Sequence, residues 1–189
     1  MRLLSSLVAL AALAACTPAA TRDLPAPESG TTIVVLVRHA EKAAEPAADP
    51  PLTAAGVVRA EALVEAVRGM RVAAVLSTDF ARTRSTAAPL AARLGLTTQI
   101  VDARARDHAR LVAGDILAKH RGRTVVVVGH SNTVPDIVAA LGAARPPAIC
   151  DGEYDNLYVV RVPVAGAATV ERRRYGAPTR QETGCGGMR

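Results

Sequence analysis

Apolar residues fall into two patterns along this chain. One is the short unbroken run. Thr32 to Val37 and Thr124 to Val128 are continuous and rich in β-branched residues, Val72 to Leu76 is a shorter run, and Leu96 to Val101 is a weaker one. Runs of this length without alternation predict strands buried on both faces, as in a parallel sheet. The other pattern is helical. Thr53 to Arg68 places Val57, Leu63, Val64 and Val67 on one face, with Pro50-Pro51 ahead, Thr53 as N-cap and Gly69 past the end. Thr83 to Leu94 predicts a second helix, with Gly95 at its end and an internal Pro89 that predicts a kink or a late restart. Asp107 to His120 predicts a third, with Leu111, Val112, Ile116 and Lys119 along one side. Pro135 fits the first turn of a fourth, ending near Leu141-Gly142. Leu157 to Val162 and Thr169 to Arg173 complete the set as two strands, paired antiparallel. The alternation predicts an α/β fold: a single domain with a mostly parallel sheet flanked by helices on both faces. In such folds ligands bind beyond the carboxyl ends of the strands, at helix N-termini.

The start of the chain follows neither pattern. Met1-Arg2 is basic, and Leu3 to Ala15 is an apolar stretch of thirteen residues. About 20 residues are needed to span a bilayer, so this stretch has the length of a signal-peptide core instead. It ends in Leu13-Ala14-Ala15-Cys16, which resembles a bacterial lipobox at all four positions. That resemblance implies cleavage before Cys16 and acylation of its thiol. Residues 1–15 are then the leader, and 16–30, rich in Pro, form a tether. The domain is expected over 31–178 with a tail over 179–189. The mature chain is expected outside the cytoplasm, held to a bacterial membrane by lipid; two acyl chains suffice for stable anchoring. Cys150 and Cys185 remain, an even pair that can form a disulfide in an oxidising compartment. The 34 residues between them would make that bridge worth up to about 4 kcal/mol.

Composition narrows the partners. Aromatics are 2% of the chain, confined to Phe80, Tyr154, Tyr158 and Tyr175. A groove that stacks nucleic-acid bases needs more aromatic faces than that. The net charge is +6, but it is dispersed, and Arg172-Arg173-Arg174 is the one basic run. No nucleic-acid partner is expected. A basic surface facing anionic lipid or an anionic substrate fits better.

Two of the Val-rich strands run directly into a histidine. One reads Val37-Arg38-His39-Ala40-Glu41, the other Val128-Gly129-His130-Ser131-Asn132. Both histidines therefore fall where the sheet places its ligand. His108 and His120 lie near the two ends of one predicted helix and are assigned no function. The segment Ser77 to Ala87 joins the second strand to the second helix, bringing Arg82 and Arg84 to the same edge. Their spacing lets one of them point inward. Arg38, His39, Arg82 and His130 can thus converge into a cationic cup suited to a phosphoryl group, since a guanidinium donates two parallel hydrogen bonds. No metal is expected, because the chain lacks the paired His or carboxylate motif of a His-ligated metal enzyme, and no cofactor is expected. Ser131 lacks the Gly-x-Ser-x-Gly spacing of a nucleophile elbow.

Four segments resemble the histidine phosphatase superfamily, the phosphoglycerate-mutase-like fold. Val37 to Lys42 is similar to its Arg-His-Gly signature, with Ala40 in place of the Gly. Pro51-Leu52-Thr53-Ala54-Ala55-Gly56 resembles its Leu-Thr-x-x-Gly element. Ser77 to Ala87 resembles its Ser-x-x-x-Arg-x-x-x-Thr-Ala segment, aligning Arg82 and Thr86. Gly129-His130-Ser131 resembles its second-histidine motif. The resemblance implies that His39 is the phospho-accepting nucleophile, and that Arg38, Arg82 and His130 form the phosphate pocket. Ser131 or Asn132 adds a donor at a helix N-terminus. The short domain is similar to the compact bacterial phosphohistidine-phosphatase type.

The expected function is a phosphatase acting on a small phosphorylated substrate through a phosphohistidine, without metal. A non-catalytic phosphoryl-anion binding module of the same fold is the alternative. A mutase is opposed by the leader. Release of an alkoxide needs a carboxylic acid to protonate it. Glu41 is the candidate closest to the nucleophile; Asp107, Glu153 and Asp155 are others, and sequence alone does not choose among them.

Overall fold

Every residue of β1 (Thr32–Arg38) is buried, and the rest of the domain is arranged around it. The computed structural model describes residues 30–179. After β1 come α1 (Ala54–Ala66), β2 (Val72–Thr78), α2 (Ala81–Leu94), β3 (Gln99–Val101), α3 (His108–Lys119), β4 (Thr124–Gly129), α4 (Thr133–Ala140), β5 (Asn156–Val162) and β6 (Thr169–Arg174). The six strands form one sheet in the order β3-β2-β4-β1-β5-β6. β1 and β2 both pair parallel with β4, and β3 pairs parallel with β2. β5 runs antiparallel to β1, and β6 to β5. The architecture is the expected α/β one, with helices on both faces.

The continuous apolar runs follow from this layering. Val34, Leu36, Val125 and Val127 point to one face, against Ile116 of α3 and Ile137 of α4. Val35, Val37, Val126 and Val128 point to the other, against Leu63 of α1 and Leu90 of α2. Each such side chain, removed from water, contributes about 1.5–3 kcal/mol. Because successive strand residues face opposite sides, a strand covered on both sides cannot alternate with polar residues.

Four expectations differ in detail. In α1 the buried face carries Gly56, Arg59, Ala60 and Leu63, while Val57 is 53% exposed. The helix is turned so that Arg59 reaches a carboxylate and Gly56 abuts backbone. In α3 the buried residues are His108, Val112, Ala113 and Ile116, and Leu111 is exposed; Nδ1 of His108, 2.7 Å from the Asp102 carbonyl, ties the helix start inward. α2 continues through Pro89 without a break. The carbonyl that Pro89 cannot pair belongs to Ser85, an exposed residue. β3 begins at Gln99, later than expected, because Gly95 caps α2 in the left-handed region and the Leu96 amide still donates to the Ala91 carbonyl.

The expected leader, Cys16 and Cys185 lie outside the described residues, as does most of the expected tether and tail. Thr179, placed in the tail by sequence, donates from Oγ1 to Asp155 at 2.6 Å and so belongs to the domain. Among the described residues no helix is long and apolar enough to cross a membrane.

Candidate active site

Strands β1, β2 and β4 end at one edge of the sheet, with Arg38 beside Gly129 and Ser77 beside Val128. The chain after β1 is fixed on both sides. The His39 amide donates to the Gly129 carbonyl at 2.9 Å, and the Ala40 amide donates to Oγ1 of Thr86 at 2.9 Å. That hydroxyl donates onward to the Arg82 carbonyl at 2.7 Å. Nδ1 of His39 lies 2.8 Å from the Ala40 carbonyl oxygen. A carbonyl can only accept, so Nδ1 carries the hydrogen and Nε2 keeps its lone pair. The ring is 3% exposed. Burial holds its pKa down to about 3, with Arg38, His130 and Arg82 adding to the effect against the Ala40 hydrogen bond. His39 is therefore a neutral imidazole at physiological pH.

Arg38 is gripped by backbone. Its Nη1 donates toward the carbonyls of Cys150, Asp151 and Glu153 at 2.8, 2.9 and 3.2 Å. Its guanidinium stacks on Tyr154, 4.3 Å from the ring centre. Arg82, in the first turn of α2, stacks on Phe80 at 4.2 Å and lies 3.8 Å from Asp49. The Nε of each guanidinium is buried and has no partner among the described residues. Donors of this kind cost free energy unless an acceptor arrives. Arg84 is exposed, so Arg82 is the inward member of the pair.

His130 follows Gly129, where a Cβ would come within 2.9 Å of Oγ1 of Thr133. Without that side chain, Thr133 can accept from the His130 amide at 2.9 Å. Nε2 of His130 lies 3.0 Å from Oγ1 of Thr78, which lies 2.8 Å from Oγ1 of Thr83; Thr83 donates to the Phe80 carbonyl at 2.8 Å. The rings of His39 and His130 are 5.5 Å apart. Burial, then Arg82, His108 and Arg38, hold His130 down to about 4. Arg38, His39, Arg82, His130, Ser131 and Asn132 all line one cavity of about 340 Å³.

Glu41 does not line that cavity. Its carboxylate accepts from Nε and Nη2 of Arg59 at 2.8–3.0 Å, and Arg59 continues to the carbonyls of Tyr175 and Ala177, both at 2.8 Å. Glu41, the proton-donor candidate nearest the nucleophile in sequence, has its charge committed to an internal ion pair. Its backbone explains the Leu-Thr-x-x-Gly element. The Glu41 carbonyl accepts from the Thr53 amide at 2.9 Å, Thr53 caps α1 through the Gly56 amide, and a Cβ on Gly56 would sit 2.2 Å from the Glu41 oxygen. Glu153 accepts from the Cys150 amide, Asp155 pairs with Arg174 and Thr179, and neither lines the cavity, nor does Asp107.

Among the described residues the one carboxylate lining the cavity is Asp151, 3.6 Å from Nη2 of Arg38, which sequence reasoning did not single out. It also missed Tyr154, Phe80 and the Thr78–Thr83 pair. Thr78 had a usable signal, a hydroxyl at the end of a buried strand beside a histidine strand. The carbonyls that hold Arg38 have none, since every residue carries one. Cys150 is buried and disulfide-bonded; its expected partner, Cys185, lies outside the described residues. Among the described residues no group of three or more His, Cys, Asp or Glu side chains is placed to hold a metal ion.

Residues 34–109 match the family described as Histidine phosphatase superfamily (branch 1), a stretch that holds Arg38, His39, Arg82 and Thr86. Over that stretch the chain is similar to the histidine phosphatase superfamily. Solved phosphatases share its fold. The protein histidine phosphatase SixA, in complex with tungstate, superposes with a TM-score of 0.63 at 19% identity, covering 75% of this chain and 96% of its own. The putative phosphohistidine phosphatase SixA of Nakamurella multipartitia gives 0.55 at 25% identity, covering 80% and 100%. A mycobacterial glucosyl-3-phosphoglycerate phosphatase gives 0.57 at 16% identity, covering 78% and 100%. No curated protein sequence matches significantly.

Proposed function

We propose that this histidine phosphatase works through a covalent phosphohistidine on His39, without metal, on a small phosphorylated substrate. The observation that carries the reading is the Nε2 lone pair of a buried neutral His39 beside two guanidiniums whose Nε donors have no partner among the described residues. The phosphoryl oxygens accept from Arg38 and Arg82, with Ser131 or Asn132 at the start of α4 as a further donor. Nε2 of His39 attacks phosphorus, and the electron pair of the breaking bond leaves with the departing group. Water then attacks the phosphoimidazole. The P–N electron pair returns to Nε2, and the water proton goes to solvent. The guanidiniums stabilise the charge that builds on the equatorial oxygens. His130 is neutral among the protein's own groups; a bound dianion raises its pKa, so that it enters the transition state as a charged donor.

Leaving groups that depart readily suit this site best, because its one lining carboxylate, Asp151, lies against Arg38. Phosphoramidates and aryl phosphates are in that class. Tungstate bound in a SixA neighbour agrees with a cup for tetrahedral oxyanions. The anchor at Cys16 would hold the domain on the outer side of a bacterial membrane.

Turnover of p-nitrophenyl phosphate tests the reading. His39→Ala should fall to background. Arg38→Ala and Arg82→Ala should each lose about 10²–10³-fold in kcat. Vanadate should compete, and EDTA should leave the rate unchanged. Full activity in His39→Ala overturns the assignment. Tight vanadate binding without turnover in the wild type would mean a binding module instead.

A further inference from the structure

With a phosphoryl group seated between His39, Arg38 and Arg82 as proposed above, part of the cavity remains open, and its walls are unevenly charged. Along the sheet edge the order is β3, β2, β4, β1, β5. Arg104 follows β3, Phe80 follows β2, His130 follows β4, His39 follows β1, and Asp151 precedes β5; all line the cavity. The carboxylate stands on the β5 side. The β3 side is cationic.

Arg104 is held in place on that side. Its guanidinium lies over the Phe80 ring at 4.7 Å, and the same ring carries Arg82 at 4.2 Å. Two like charges on one ring would separate without a restraint. The restraint is Asp79, which accepts from Nη1 of Arg104 at 2.9 Å and does not line the cavity. That pair is exposed, so it is screened and weak, and it occupies one of the five N–H donors of the guanidinium. Among the described residues the others have no acceptor. The cavity wall holds four cations, Arg38, Lys42, Arg82 and Arg104, against one carboxylate. Arg38 and Arg82 take the phosphoryl group, while Arg104, whose partner Asp79 stands outside the wall, lines the rest of the cavity. Arg104 is the cation farthest along the edge from Asp151.

We infer that the substrate carries a second negative charge on its leaving portion and that Arg104, stacked on Phe80, binds it. The spacing sets the size of such a substrate. Arg104 to Phe80, Phe80 to His130 and His130 to His39 are steps of 4.7, 5.2 and 5.5 Å. Arg82 and Arg104 lie 4.2 and 4.7 Å from the centre of the same Phe80 ring, so their guanidinium centres are at most about 9 Å apart, a span that one small molecule bridges. Arg104 is a specificity-determining residue: it touches the leaving portion and not the reacting bond.

Binding of two non-hydrolysable probes, phenylphosphonate and 4-carboxyphenylphosphonate, separates this subsite from the chemistry. Titration calorimetry on the wild-type domain should show about tenfold tighter binding of the carboxylated probe, the scale of a charge-assisted hydrogen bond. Arg104→Gln should erase that preference and leave phenylphosphonate within twofold. Arg104 is exposed, so the variant folds. Equal affinities in the wild type, a preference that survives Arg104→Gln, or an equal loss for both probes would each overturn the inference. Binding of neither probe overturns the subsite and the phosphoryl cup together. A preference without any p-nitrophenyl phosphate turnover upholds the subsite and overturns the phosphatase reading.

Discussion

Glu41 and Arg59 face each other through both carboxylate oxygens, with Nε and Nη2 of the guanidinium at 2.8–3.0 Å. This pair stands two residues after the nucleophile and joins the β1 exit to α1 and, through Arg59, to the carbonyls after β6. It converts a carboxylate that sequence places near the chemistry into a clamp on the turn that presents His39.

Replacing Glu41 should therefore act on stability first. In Glu41→Gln the Arg59 charge, 3% exposed, loses its counter-ion, a change that costs about 3 kcal/mol. Thermal unfolding should report the loss. The kcat/KM for an alkyl and an aryl phosphate should fall by the same factor. A steep loss confined to the alkyl substrate would name Glu41 as the acid after all.

Thr86 should matter through Ala40. In Thr86→Val the buried Ala40 amide keeps no acceptor, at a cost of about 1–3 kcal/mol. His39 takes its ring orientation from the Ala40 carbonyl, so kcat should drop more than KM rises. Thr86→Ser, which keeps the hydroxyl, should recover most of the rate. Equal kinetics in the Val variant would mean that Thr86 only packs.

Acid should destabilise the domain before its carboxylates protonate. An unfolded histidine titrates near 6.5, whereas the fold holds His39 down to about 3 and His130 to about 4. Between these values the unfolded chain binds protons that the folded chain does not, so stability falls as pH drops from about 6.5 toward 4. Above 6.5 this contribution is constant. Asp79, whose carboxyl is lowered by a hydrogen bond from Arg104, and Asp155, where burial raises the carboxyl but hydrogen bonds from Thr179 and Arg174 together lower it further, add their loss only below the ordinary 3.8. Urea unfolding at stepped pH should show the slope, and the double variant His39→Asn, His130→Asn should flatten it. A flat profile in the wild type between 6.5 and 4 would contradict the burial of both rings.

The full chain should partition into the detergent phase of a phase-separating detergent, and Cys16→Ser should move it to the aqueous phase. Equal partitioning of the two proteins would remove the anchor from the proposed function.

The strand ends were legible because hydrophobic runs mark where parallel strands stop, and Arg38, His39 and His130 stand directly after them. Arg82 was legible through its motif, and Thr86 too, although its bond to the Ala40 amide was not. Val57 and Leu111 were misplaced because periodicity counts apolar residues, whereas the buried stripe was claimed by Arg59 in one helix and His108 in the other. Both polar residues have partners distant in sequence or in a preceding loop, which a local pattern cannot register. Asp151 and Tyr154 lie in the irregular segment before β5, where no period exists to place them.

Arg38 shows what the loop before β5 does for the site. Three carbonyls crowd one nitrogen that has two hydrogens, so the guanidinium plane is fixed while the chain folds and does not wait for a ligand. An incoming oxyanion then loses no time and little entropy in organising its receptor. The same arrangement is unforgiving. A lysine at position 38 would keep the charge, yet it offers one nitrogen where the loop and the ligand must be engaged together. Rigidity here is borrowed through the backbone carbonyls of that segment, which leaves its main chain as constrained as the histidines it serves.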